Sequence, residues 1–379
     1  MPMSSHCRKE LADIIASTGA FDDDPALRAS FERVPREIFL GDAVYRLNGT
    51  TWEPLRREDV GEEEWLRLAC TDQTWVTQVE GVDARDATGA LSGNPTSSST
   101  LPSLVARMVR VAGVRGGDTV LEIGTGTGYS TAILADRLGE ARVTSVEYDP
   151  GTARRAADHL NAAGYAPHLV VGDGLQGCKE HAEYDALVAT CAVRHIPLPW
   201  LWQVRAGGSI TTAVGGWMLA SGLVRLVVGD GGSASGRFTG DTVSYMLARP
   251  HERPPRPVFF RHGGDARASL VDPAVLEDWT GHFVAQLGAP SAELMQTGDG
   301  VVLVDVATGS QAWTEAADGG WTVHQSGPLR LWDQVEAAVM TWQAAGSPGQ
   351  SAFGMSVSPD CTQTVWLGSP EGPSWRLPC

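Results

Sequence analysis

The stretch Thr119-Val120-Leu121-Glu122-Ile123-Gly124-Thr125-Gly126-Thr127-Gly128-Tyr129-Ser130 reads as a buried strand, a glycine turn and the start of a helix. That arrangement is where open α/β sheets bind nucleotides, outside the carboxyl ends of their strands. The glycines stand at alternate positions, whereas the dinucleotide fingerprint leaves two residues before its third glycine. Backbone bared in this way by Gly124, Gly126 and Gly128, with Thr125, Thr127, Tyr129 and Ser130 filling the turn, lets a small cofactor lie against the strand end. Glu122 at the strand edge is placed to take a charge-assisted hydrogen bond from a cationic amino group. S-adenosyl-L-methionine has such a group, and a pyrophosphate would be repelled. The alternative is a glycine-rich turn with no ligand.

Spacing further along supports the cofactor reading. Arg142 to Glu147 reads as a second strand, ending in an acid placed to hold ribose hydroxyls, with Tyr148 next to it. His168 to Gly174 supplies a third strand, whose Asp173-Gly174 end could meet an adenine amino group, and Tyr184 to Thr190 a fourth. Helical stretches at Tyr129 to Leu138 and Gly151 to Ala163 alternate with these strands. Such alternation predicts a doubly wound, mainly parallel, Rossmann-like α/β sheet, and the acids at three successive strand ends on one face make it read as a class I S-adenosyl-L-methionine-dependent methyltransferase.

Composition narrows the class. The chain has 379 residues, 42% of them hydrophobic, enough to fill two cores. A net charge of −16 would repel a duplex nucleic acid. Met1 to Glu10 lacks the apolar core of a signal peptide, and no apolar run reaches membrane-spanning length. Six cysteines, at 7, 70, 178, 191, 361 and 379, share no metal-ligand spacing. The expectation is a cytoplasmic protein with reduced thiols, no disulfide, no metal and no membrane or nucleic-acid partner.

Four pieces are expected along the chain. Residues 1–98 form an N-terminal helical segment (Glu10 to Ala16 and Ala26 to Arg33, broken at Asp22-Asp23-Asp24) and an irregular insert on the substrate side. Residues 99–249 form the cofactor domain, and the Pro- and Arg-rich run 250–257 a linker. Residues 258–379 form a smaller α+β domain: helices at Pro273 to Leu287 and Leu329 to Trp342, a strand at Gly300 to Val306, and a hairpin of Phe353 to Val357 with Thr364 to Leu367. Trp279, Trp313, Trp321, Trp332, Trp342, Trp366 and Trp375 crowd this region, as core residues or as a peptide-binding surface.

Further pieces carry a resemblance. They are Val34-Pro35-Arg36-Glu37-Ile38-Phe39, the hydroxyl segment Ser98-Ser99-Thr100-Leu101-Pro102 through Met108, Gly172-Asp173-Gly174, Tyr184-Asp185-Ala186 through His195-Ile196-Pro197 to Gly207-Gly208, and Gly236-Arg237-Phe238. With the glycine motif, and in this order, they make residues 10 to 250 resemble the protein-L-isoaspartate O-methyltransferases. The resemblance implies S-adenosyl-L-methionine as cofactor, S-adenosyl-L-homocysteine as product and a peptide carboxylate as acceptor. It places Thr100, where the family usually has Ser, at the methyl-transfer site, with Ser98 and Ser99 as competing hydroxyls. It sets His195, Arg36 and Arg237 toward the substrate, against a structural loop histidine and solvated surface arginines.

Two departures bear on the substrate. The insert from Gly49 to Asn94 is long, and residues 258–379 lie beyond the usual repair enzyme. This extended form is similar to methyltransferases of ribosomal peptide biosynthesis (lanthipeptides, lasso peptides, crosslinked peptides). That likeness implies methylation of an ordinary aspartate in a modified precursor peptide, whose ester then closes to an aspartimide. The competing expectations are repair of isoaspartyl residues in damaged proteins, a non-catalytic cofactor-binding protein, and a small-molecule O-methyltransferase.

Overall fold

The computed structural model describes residues 2–22, 24–255, 264–297 and 300–378. The chain divides into two compact units, Met1–Thr190 with Trp202–Thr211, and Cys191–Leu201 with Thr212–Cys379.

In the first unit, Val120–Ile123 pairs in parallel with Val143–Glu147 on one side and with the strand beginning at Tyr184 on the other. His168–Val171 continues the parallel sheet beyond Val143–Glu147. All four residues of Val120–Ile123 are buried, including the charged Glu122. Continuous burial of this kind marks a strand covered on both faces. Helix Tyr129–Leu138 follows the first strand and helix Pro150–Ala163 the second. Asp149 caps the latter by accepting from the Thr152 N–H at 2.6 Å. This is the α/β arrangement the glycine motif predicts.

Helices Pro2–Ser17, Pro25–Arg33 and Arg36–Phe39 precede it. Asp24 starts the second by accepting from the Leu27 N–H at 2.9 Å. Asp23, in the expected acidic break, lies outside the described residues.

The insert is not irregular, which corrects the sequence reading. Ala43–Asn48, Thr51–Arg56, Trp75–Val79, Val82–Asp83 and Pro95–Ser99 make a five-stranded sheet. Ala43–Asn48 buries its first three residues and exposes its last three, so it lacks the alternation that identifies a strand in sequence. The hydroxyl segment is the end of this sheet: Ser98 and Ser99 pair with Val76 and Trp75.

A second correction concerns cysteine. Cys7 and Cys70 form a disulfide, with Cα atoms 5.8 Å apart. They are 63 residues apart in sequence and meet because helix Pro2–Ser17 lies against helix Glu62–Ala69. Among the described residues this is the disulfide the structure shows, and Cys379 lies outside them.

The second unit begins well before residue 258. Ser221–Val228 pairs antiparallel with Ala234–Phe238, which pairs with Phe353–Val357, and that strand with Gln363–Leu367. Residues 212–249 therefore build one sheet with the C-terminal hairpin, and the boundary expected at 249 is not where the units divide. The Pro/Arg run forms a short turn at Arg249–His251 with His251 buried; Arg256 and Pro257 lie outside the described residues. A second antiparallel sheet runs in the order Asp265–Ala268, Gly320–Ser326, Gln311–Ala317, Gly300–Asp305, Ala292–Thr297.

Helices Trp279–Gly288 and Leu331–Ala344 accompany this sheet. The first is shorter than expected, because Asp278 caps it by accepting from the Gly281 N–H at 2.7 Å and leaves Pro273–Glu277 as a separate turn. Trp313, Trp332, Trp342 and Trp366 are buried core side chains, and Trp279, Trp321 and Trp375 are half-buried. No helix among the described residues is long and apolar enough to cross a membrane.

Candidate functional site

Hydrogen bonds from the turn's N–H groups to the second strand fold the glycine turn over the strand end. The Gly124 N–H donates to the Val146 carbonyl at 2.8 Å, and the Gly126 N–H to Glu147 Oε2 at 2.9 Å. Gly124 has φ +97°, and a Cβ there would lie 2.7 Å from Thr190 Oγ1. Glycine is thus required twice over, by conformation and by space. Thr190 in turn donates to the Gly124 carbonyl at 2.6 Å. Gly174 answers to space alone: a Cβ there would meet Ile123 Cγ2 at 2.5 Å. The side chain ending the first strand thus packs directly on the Asp173–Gly174 turn.

The acids at the strand ends differ in role. Glu147 receives the Gly126 and Asp149 N–H groups, and burial pushes its pKa up against the pull of those donors. Asp173 accepts from the Leu175 N–H at 2.9 Å, which fixes its own turn. Glu122 is wholly buried; its Oε2 accepts from the hydroxyls of Thr131 and, at 2.7 Å, Ser145. Burial raises its pKa, opposed by hydroxyl donors that include Ser130, and Glu147 raises it further. Such enclosure corrects the expectation of a direct contact with an amino group, because Glu122 braces the turn from within. Its Oε1 has no partner among the described residues.

The neighbouring turn residues follow. Thr125 shares a 2.7 Å hydroxyl contact with Ser145, and the Thr127 carbonyl lies 3.1 Å from His159 Nδ1. Gly128 stands before the helix, as its cap position. Tyr129 is buried, whereas Tyr148 is half-exposed beside Glu147.

The hydroxyl segment lies against this turn. The Ser98 carbonyl is 3.5 Å from where a Cβ of Gly126 would stand. Ser97 and Ser99 are buried, while Ser98 and Thr100 are half-open, the alternation of a strand. Ser99 is 1% exposed and its hydroxyl has no partner among the described residues, which removes it from the candidate hydroxyls. Thr100 and Ser98 remain.

Arg36 holds this segment from beneath. Its Nη1 donates to the carbonyls of Ala69 and Thr71, and its Nη2 to those of Gln73, Ser99 and Thr100. The guanidinium lies 5.6 Å from the Tyr129 ring centroid, and burial lowers its pKa to about 10. At 1% exposure it has no face for a peptide, so the expected groove arginine is a positioning residue.

His195 and Arg237 belong to the second unit. Burial, then Arg194, lowers the pKa of His195, and its ring stands 4.5 Å from that of His251. Arg237 is exposed, donates to the Gly368 carbonyl at 2.9 Å and covers Trp366.

The sequence reading missed Thr131, Ser145 and Thr190, whose small hydroxyls carry no pattern of their own. It also missed a cleft of about 220 Å³ lined by Ser97, Gly126, Thr127, Asp83, Arg155 and His159 among others. Arg155 and Asp83 are paired across it at 2.9 Å. The bared glycine turn, with the Glu147 and Asp173 carboxylates at the neighbouring strand ends, is a surface on which a small cofactor could lie.

Comparison with known proteins agrees. Residues 73–231 match the family described as Protein-L-isoaspartate(D-aspartate) O-methyltransferase (PCMT). The Protein-L-isoaspartate O-methyltransferase of Picosynechococcus sp. is 34% identical over 194 residues, 51% of this chain and 70% of that protein. Protein-L-isoaspartate O-methyltransferase 1 of Cupriavidus necator is 41% identical over 138 residues, 36% of this chain, which spans about half (52%) of that relative. A solved structure named as a protein-L-isoaspartate O-methyltransferase shares the fold with a TM-score of 0.55 at 18% identity, over 96% of this chain and 100% of that one. The chain belongs to the protein-L-isoaspartate O-methyltransferase family, whose members are S-adenosyl-L-methionine-dependent carboxyl O-methyltransferases.

Proposed function

We propose that this chain methylates the free α-carboxylate of L-isoaspartyl residues in peptides and proteins, the carboxylate left over because the main chain there runs through the side-chain carbonyl. The observation that carries the reading is the packing of the hydroxyl segment on the glycine turn, with Ser98 O at 3.5 Å from the Cβ position of Gly126. The names of the relatives supply the acceptor class.

Bound S-adenosyl-L-methionine would supply a methyl group already activated on a sulfonium sulfur. Gly124, Gly126, Glu147, Asp173 and Gly174 would hold it. The acceptor carboxylate, with a pKa of about 4, is ionised at neutral pH, so no residue of the chain need remove a proton. Thr100 donates its hydroxyl hydrogen to one carboxylate oxygen and leaves the other free to attack. Arg36 fixes the backbone that aims Thr100. Positioning of this kind is worth about 7 kcal/mol or more. In the ester product, the next residue's backbone nitrogen attacks the carbonyl, expels methanol and closes a succinimide without further help.

The second reading, an aspartate in a modified ribosomal peptide, draws on the insert, whose sheet contributes Asp83 and Ser97 to the cleft beside Gly126. Mass spectrometry of methyl transfer separates the two. Methyl gain on an isoaspartyl test peptide, with an aspartyl twin untouched, supports the proposal. Methyl gain followed by net loss of water on a modified precursor peptide alone replaces it with the second reading.

A further inference from the structure

At the edge of the parallel sheet, His168 opens the strand His168–Val171, and Glu180 and His181 sit on the turn Lys179–His181. The chain between them runs along the strand, through Asp173 and Gly174, and back to the strand's starting end. The two imidazole rings stand 4.2 Å apart, centroid to centroid, tilted by 60°. One ligand atom from each of His168, Glu180 and His181 lies within 4.8 Å of the other two, and all three side chains are exposed.

We infer that His168, Glu180 and His181 form a binding site for a divalent transition-metal ion of the zinc type. Two imidazoles and one carboxylate are a donor set that borderline ions prefer over magnesium or calcium. Bonds of about 2.0–2.1 Å place tetrahedral ligand atoms about 3.4 Å apart, so the three exposed side chains have to close in by up to about 1.4 Å. Three protein ligands leave the fourth position to water. The chain's net charge of −16 favours a cation.

The fold gives the site a consequence. An ion bridging His168 to Glu180 and His181 closes the loop that carries Asp173 and Gly174, and so restrains that turn from its far end. The cysteine spacing gave no hint of this, because the ligands are histidine and glutamate drawn from a strand and a separate turn. The inference stands apart from the methyl-transfer reading, since it concerns ion binding alone.

The test is calorimetric titration of the full chain, without an affinity tag and after chelator treatment, with ZnCl2. One equivalent should bind with micromolar affinity, and Co2+ should give visible absorption of a nitrogen- and oxygen-ligated ion. His168→Ala and His181→Ala, checked for folding by circular dichroism, should each weaken Zn2+ binding by about 100-fold, and Glu180→Gln by about 10-fold. Absence of a saturable site below millimolar Zn2+ would overturn the inference. So would equal affinity in wild type and the two histidine variants, which would place the ion elsewhere.

Discussion

The guanidinium of Arg36 donates to the main-chain carbonyl of Thr100 at 3.3 Å, sixty-four residues further along the chain. The same nitrogen reaches Ser99 and Gln73, and its twin reaches Ala69 and Thr71. One buried cation thus sets the height of the strand end that carries the candidate hydroxyl. Arg36→Lys keeps the charge but loses the planar fork. Methyl transfer should fall by about 100-fold, with the dissociation constant for S-adenosyl-L-methionine nearly unchanged. Equilibrium binding beside steady-state kinetics checks it, and a matched loss in both would mean that Arg36 only supports the fold.

Thr100 and Ser99 make a paired prediction. Thr100→Val keeps the shape and removes the donor, so kcat should drop by about 10- to 100-fold. Ser99 buries a hydroxyl without a partner, so Ser99→Ala should leave kcat alone and be neutral to stabilising by up to about 1 kcal/mol. Thermal unfolding and initial rates on both variants decide it.

The Cys7–Cys70 disulfide ties the N-terminal helix to the residue between Ala69 and Thr71, whose carbonyls Arg36 holds. Cys7→Ser should destabilise the protein by about 2–4 kcal/mol. Dithiothreitol should lower the unfolding midpoint of the wild type toward that of the variant and leave the variant where it was.

His251 gives the second unit a pH dependence. Burial, with His195 and Arg194 as lesser causes, lowers its pKa to about 4. A depressed folded value means the unfolded chain takes up the proton first, so the contribution is complete above pH ~6.5 and is lost as pH falls toward 4. The stake is about 3 kcal/mol. Nδ1 accepts from the Arg194 N–H at 3.1 Å, which requires that nitrogen unprotonated. Denaturant unfolding at pH 7.5 and 5 should show the loss in wild type and a shallower one in His251→Gln.

Motifs built from neighbouring residues were legible in the sequence. The run from Thr119 to Ser130 and the acids at 147 and 173 carry their geometry locally, because glycine turns and strand ends act within a few residues, whereas the Asp24, Asp149 and Asp278 caps were not read from the sequence. The family followed from their order. Tertiary structure alone decided what depends on distant partners: that Glu122 is enclosed by Thr131 and Ser145, that Arg36 serves the backbone, and that Cys7 meets Cys70. It also decided that residues 212–249 share a sheet with the C-terminal hairpin. A side chain's type states what it is able to bind. Which partner it finds, and whether water reaches it, is set by packing between segments far apart in the chain.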